Sequence, residues 1–178
     1  MEVFSMAATP VIKFVTRTDP ANPGANKKYT DIGNSEVNIV TPLNFGSLNI
    51  DADTWSAVKV VWGQLTDLSG NARVNAMKFY VDGSFNNQTG IQHYDKITKD
   101  WEAPGSAGTR QTGNASSGKT YTDAKALLKD DGIASELTAI DQFTQFIFCQ
   151  LFVQAGTPVG AHVTGEGKGR AKMAFNYS

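Results

Sequence analysis

A chain of 178 residues, 40% hydrophobic and 10% aromatic, is long enough for one domain with a sizeable core, since a domain near this length buries roughly 70% of the surface its unfolded chain exposes. Sixteen Lys and Arg against 17 Asp and Glu leave a formal net charge of -1, which argues against nucleic acid or an anionic membrane as the partner. The single cysteine, Cys149, excludes an intrachain disulfide, and no run approaches the roughly 20 apolar residues that span a bilayer.

In chain order, MEVFSMAATP has an acid where a secretion signal is positive and lacks an apolar run, so no signal peptide is expected, and Met6 is an alternative start. VIKFVTR (Val11–Arg17) reads as a strand. Residues 18–36 are polar, carry Pro20, Pro23 and Gly24, and read as an extended loop or arm. VNIVTPLNF (Val37–Phe45) alternates like a strand broken by Pro42. WSAVKVVWGQL (Trp55–Leu65) is rich in β-branched and aromatic residues and sets Ser56, Val58, Val60 and Trp62 on one face. In a regular strand Trp55, seven residues before Trp62, lies on the opposite face, and at most one of the two is core.

AMKFYVDG (Ala76–Gly83) is a further strand ending in a turn dipeptide. Residues 84–119 read as a long polar insertion, rich in Gly, Asn, Ser and Thr, with Phe85, Ile91, Tyr94, Ile97 and Trp101 as its large residues. YTDAKALLKDDG (Tyr121–Gly132) is the one helical pattern, with Thr122 as N-cap and Gly132 as stop. FTQFIFCQLFV (Phe143–Val153) is the most apolar strand and is expected at the centre of a sheet; AKMAFNYS (Ala171–Ser178) is the last. Many short strands with one short helix predict a mainly β, single-domain chain over 1–178: an antiparallel immunoglobulin-like β-sandwich with long ordered loops.

Several motifs invite chemistry. GNASSGKT (Gly113–Thr120) fits the phosphate-loop pattern letter for letter. Such a loop follows a buried strand and opens a helix, and APGSAGTRQT upstream contains no strand, so a glycine-serine loop is the better reading. DADT (Asp51–Thr54) lacks the further oxygen ligands of a calcium loop and reads as a turn. Asp130 and Asp131 read as solvated or capping carboxylates, GEGKGR (Gly165–Arg170) as a hairpin tip or a close-contact loop. Cys149 sits among apolar neighbours and reads as a buried inert thiol. A catalytic cysteine needs a base, and neither His93 nor His162 stands in a recognisable signature. No cofactor and no metal is expected.

The order of segments resembles the small immunoglobulin-like structural proteins of tailed bacteriophages. The resemblance rests on MAATPVIKF (Met6–Phe14), VTPLNFGSL (Val40–Leu48), WSAVKVVW (Trp55–Trp62), the glycine-bearing link TDLSGNARV (Thr66–Val74), AMKFYVDG, FIFCQLFVQAGTPVG (Phe146–Gly160) and AKMAFNYS. It covers about half the chain and leaves out residues 84–141; GEGKGRAK and the long 18–36 segment depart from it. It implies a non-enzymatic virion protein, an accessory or decoration protein on head or tail, assembled in the host cytoplasm. Partners would be other virion proteins and copies of itself, docked through the extended loops, which an assembly would hold in order.

Candidate contact residues are Trp101, Tyr94, Phe85, Lys168 and Arg170. The alternative is a carbohydrate-binding or host-recognition sandwich of a tail or baseplate, in which Trp55, Trp62, Trp101, Tyr80 and Tyr94 supply stacking rings. A third reading, an enzyme with its site in the long insertion, requires acids converging in a cleft.

Overall fold

The computed structural model describes residues 8–16, 35–37, 43–82, 91–99, 101, 104–111, 114–115, 136–158 and 170–178. Ten strands occur among them: β1 (Val11–Thr16), β2 (Ser35–Glu36), β3 (Thr54–Trp55), β4 (Lys59–Asp67), β5 (Val74–Asp82), β6 (Ile91–Thr98), β7 (Asn114–Ala115), β8 (Glu136–Leu137), β9 (Phe146–Val153) and β10 (Arg170–Tyr177). They form two sheets. The larger runs β2-β1-β4-β9-β6-β7, with β3 also on β9, and the smaller runs β10-β5-β8. Every strand pairing among the described residues is antiparallel. The expected helix, Tyr121–Gly132, lies outside the described residues, and no helix occurs among them.

β9 is central, as its apolar run predicts. It is flanked by β3 and β4 on one side and by β6 along its whole length on the other. Both of its faces are covered, which is why hydrophobic residues follow one another instead of alternating with polar ones. Ile147 and Cys149 join Val61 and Leu65 of β4 and face Val74, Met77, Phe79 and Val81 of β5 and Leu137 of β8, the core between the sheets. Phe146 and Phe148 point the other way, with Val15, Val58, Val60, Trp62 and Trp101. Gly63 leaves room for its neighbours: a Cβ there would lie 2.8 Å from Met173 Cε of β10 and 3.0 Å from both Ile12 Cγ2 and Thr144 Cγ2.

Two regions need more than the alternation pattern. Of the expected strand Val37–Phe45, residues 38–42 lie outside the described residues; the Val37 amide donates to Phe14 O at 2.8 Å, continuing the pairing of Ser35–Glu36 with β1. Leu43 and Phe45 lie outside any strand and pack on the core between the sheets. The second region is the polar insertion 84–119. Within it, Ile91–Thr98 pairs with β9 residue for residue, from Ile91 opposite Val153 to Thr98 opposite Phe146. IQHYDKIT reads as polar because β6 carries His93 and Asp95 on its buried face, where composition alone expects apolar residues.

Strand irregularities decide which face each side chain takes. Trp55 stands opposite Phe152 and Lys59 opposite Cys149, so four steps along the β3–β4 run match three along β9. One extra residue is a β-bulge, and it inverts the alternation. Trp55 and Trp62 therefore share the outer face, against the expectation from a regular strand. The Ser56 hydroxyl accepts the Leu151 amide at 2.9 Å inside this bulge, keeping the ladder satisfied. A second bulge lies in β5, where Lys78 faces Ala174 and Asn75 faces Asn176, three steps against two. Its extra turn of backbone places Ala76 at a φ of 48° and lets Val74 and Met77 both point inward.

Candidate functional site

The outer face of the larger sheet carries two aromatic clusters. In the first, Trp62 and Trp101 pack edge-on against Phe146, with ring centroids 5.4 Å and 5.3 Å away, and Phe148 lies 6.0 Å from Trp101. Trp62 is 0% and Trp101 7% exposed, so Trp101 anchors its segment as core. Of the two roles that a large aromatic in the long insertion leaves open, anchor of its own loop or anchor of a partner, the burial of Trp101 favours the first. Trp62 is likewise unavailable for stacking.

The second cluster stands further along the same face. Trp55 of β3 packs on Phe152 of β9 at 4.7 Å and on Tyr94 of β6 at 5.1 Å. The exposed guanidinium of Arg110 covers both rings, with Cζ 5.4 Å from the Trp55 centroid and 5.6 Å from that of Tyr94. Trp55, Tyr94 and Phe152 are half-buried. The Tyr94 hydroxyl donates to Gln92 Oε1. Each contact follows from the pleat: Tyr94 and Phe152 sit on alternate outward positions of adjacent strands, and the bulge after Trp55 turns its indole to the same side.

Gln150 holds Arg110 in place. Its side chain, 2% exposed, donates to Ser56 O at 2.8 Å and Thr109 O at 2.7 Å, and accepts the Gln111 amide at 3.0 Å. Two of these bonds grip the residues on either side of Arg110. The Gly108 amide also donates to Trp55 O at 2.7 Å and the Val58 amide to Gly105 O at 3.0 Å. Residues 104–111 are thus laid on the sheet by backbone bonds, and the cation is delivered over the rings by a fixed chain. Such a stack contributes about 0.5–1 kcal/mol at an exposed site.

Of the five candidate contact residues, Tyr94 belongs to this open cluster and Trp101 to the closed one. Phe85 and Lys168 lie outside the described residues; Arg170 opens β10, its backbone paired with Asp82. Arg110, Trp55 and Gln150 were not among the candidates. Arg110 stands in a featureless polar stretch, and the role of Gln150 emerges only once β9 is known to be buried on both faces.

The other motifs resolve where they are described. Asn114 and Ala115, inside the phosphate-loop pattern, form β7 and pair antiparallel with Asp95 and Tyr94, so this part of the pattern is sheet edge. In DADT, Asp53 Oδ1 accepts the Ala155 amide at 2.9 Å and the Thr54 hydroxyl donates to Ala52 O at 2.9 Å, a turn held by its own side chains. The 165–169 part of GEGKGR and Asp130–Asp131 lie outside the described residues.

A third constellation is internal. His93 and Asp95, two apart on β6, face the space between the sheets, and Cys149 stands directly opposite Asp95 on β9. His93 Nδ1 lies 3.1 Å from Asp95 Oδ1, both side chains being 7% exposed. Phe45 closes over the imidazole with its ring edge-on at 6.5 Å. Burial first, and then the Asp95 charge and its acceptor oxygens, push the Cys149 thiol well above its ordinary range, so it stays protonated and is a poor nucleophile. The thiol also reaches the backbone, donating to Ile147 O at 3.7 Å.

No family model, no curated protein and no solved structure matches the chain. No helix among the described residues is long and apolar enough to cross a membrane.

Proposed function

We propose that this chain is a non-enzymatic structural protein of a tailed-phage particle, an accessory protein of head or tail whose body is an immunoglobulin-like sandwich. The observation that carries the reading is where the resembling segments fall. Val11–Phe14, Trp55–Trp62, Ala76–Asp82, Phe146–Val153 and Ala171–Tyr177 are the strands β1, β3 with β4, β5, β9 and β10, in that order. Two antiparallel sheets sharing one core give a rigid body, and the open Trp55–Tyr94–Arg110 surface gives it a contact point. Near-zero net charge suits close packing beside identical copies. Mass spectrometry of density-purified particles, from a host induced to release them, tests the reading. Its peptides should band with the particles at many copies each; their absence from intact particles overturns it.

A second reading is favoured by one specific observation: an aromatic pair topped by a guanidinium is also how a protein holds a sugar ring or a planar group. On that reading the protein is a host-recognition module, and Trp55 and Tyr94 are its stacking residues. A glycan array probed with the wild type, Trp55→Ala and Tyr94→Ala decides it. Binding lost in both variants supports recognition of a glycan, and no binding by the wild type rejects it.

A further inference from the structure

We propose that His93, Asp95 and Cys149 are the protein ligands of one divalent transition-metal ion of zinc-like chemistry, held between the two sheets. One donor atom from each lies within 4.8 Å of the other two. The arrangement is built into the ladder: alternate residues of β6 supply imidazole and carboxylate, and the residue of β9 opposite the carboxylate supplies sulfur. A tetrahedral ion with bonds of 2.0–2.3 Å keeps its ligand atoms roughly 3.3–3.7 Å apart. The imidazole–carboxylate pair, at 3.1 Å, is already that close, and small side-chain rotations bring the sulfur in.

Asp95 supplies the independent observation. Its carboxylate is more than nine-tenths buried, and neither oxygen has a hydrogen-bond partner of regular geometry; its polar neighbours are the His93 imidazole at 3.1 Å and the Cys149 thiol. A buried carboxylate without directed donors is costly. A cation shared with His93 and Cys149 removes that cost, and the donor set names the cation. Thiolate and imidazole disfavour calcium and magnesium, which take oxygen ligands, and suit zinc. Charge balances as well: one thiolate and one carboxylate neutralise a dication, and the imidazole binds neutral.

Binding breaks the S–H bond of Cys149 heterolytically. The sulfur electron pair goes to the metal and the proton to solvent, and no oxidant or reductant is needed. Three protein ligands leave one position for water. The ion would tie β6 to β9 beneath the smaller sheet, acting as a structural staple.

The only cysteine in the chain makes the test clean. The full-length protein is unfolded in chelator and refolded, without thiol reductants, in cobalt(II) as a spectroscopic stand-in for zinc. The expected result is a thiolate-to-cobalt charge-transfer absorption that saturates at one equivalent, is displaced by zinc, and is absent in Cys149→Ser. Asp95→Asn, which keeps the volume and removes the charge, should bind zinc about tenfold or more weakly. No charge-transfer band in the folded wild type overturns the proposal. So does a band that survives in Cys149→Ser, or zinc affinity unchanged in Asp95→Asn.

Discussion

The two aromatic clusters on the outer face of the larger sheet are made of similar residues on the same strands. β9 supplies Phe146 and Phe148 to one and Phe152 to the other, and the β3–β4 run supplies Trp62 to one and Trp55 to the other. What separates them is cover. Trp101 lies over the first and closes it, while among the described residues the Arg110 side chain lies over the second and leaves the rings half-open. Whether an aromatic residue is closed off or left half-exposed is here set by the segment around residues 101–111, and scarcely by the strand that carries it.

The largest effect expected from this contrast is on stability. Trp62→Ala should cost about 3–5 kcal/mol, the range for truncating a large buried aromatic, whereas Trp55→Ala should cost about 1–2 kcal/mol or less. Urea unfolding of both variants measures the difference, and equal costs would erase the distinction between the clusters. Next comes the residue that holds the cover. Gln150→Leu leaves the Gln111 amide and the Ser56 and Thr109 carbonyls without its bonds, at about 1–3 kcal/mol. Hydrogen exchange at Gln111 should accelerate more than at Val58, whose amide is held by Gly105 O.

Much of the fold was legible in the sequence, and the failures have physical causes. β1, β4, β5, β9 and β10 follow from alternation and β-branched content, and the two-sided burial of β9 follows from its unbroken apolar run. β6 was hidden because its inward positions hold His93 and Asp95. The face of Trp55 was misjudged because one bulge residue inverts the alternation, and nothing local in WSAV announces it. The Cys149–His93–Asp95 cluster was half-visible: the cysteine reads correctly as buried, but its polar neighbours come from a strand more than fifty residues earlier, brought alongside only by long-range register.

Smaller effects sharpen the contrast further. Arg110→Ala removes the stack over Trp55 and Tyr94 and should change stability by under about 1 kcal/mol, while reducing whatever binding the open cluster supports. A loss of several kcal/mol would make Arg110 part of the core's cover. The smallest expected change concerns the bulge that sets the facing of β5. Ala76 at a φ of 48° occupies backbone space that favours glycine, so Ala76→Gly should be neutral or stabilising by up to about 1 kcal/mol. A loss in the same urea assay would contradict the bulge.

The most direct test uses the chain's three tryptophans as reporters. Fluorine NMR of the protein labelled with 5-fluorotryptophan, recorded with and without a soluble paramagnetic agent, reads the exposure of each indole. The structure predicts three resonances, of which one broadens strongly and disappears in Trp55→Phe, while those of Trp62 and Trp101 are shielded. Broadening of the Trp62 or Trp101 resonance, or a shielded Trp55, would contradict the division of this face into a closed half and an open one.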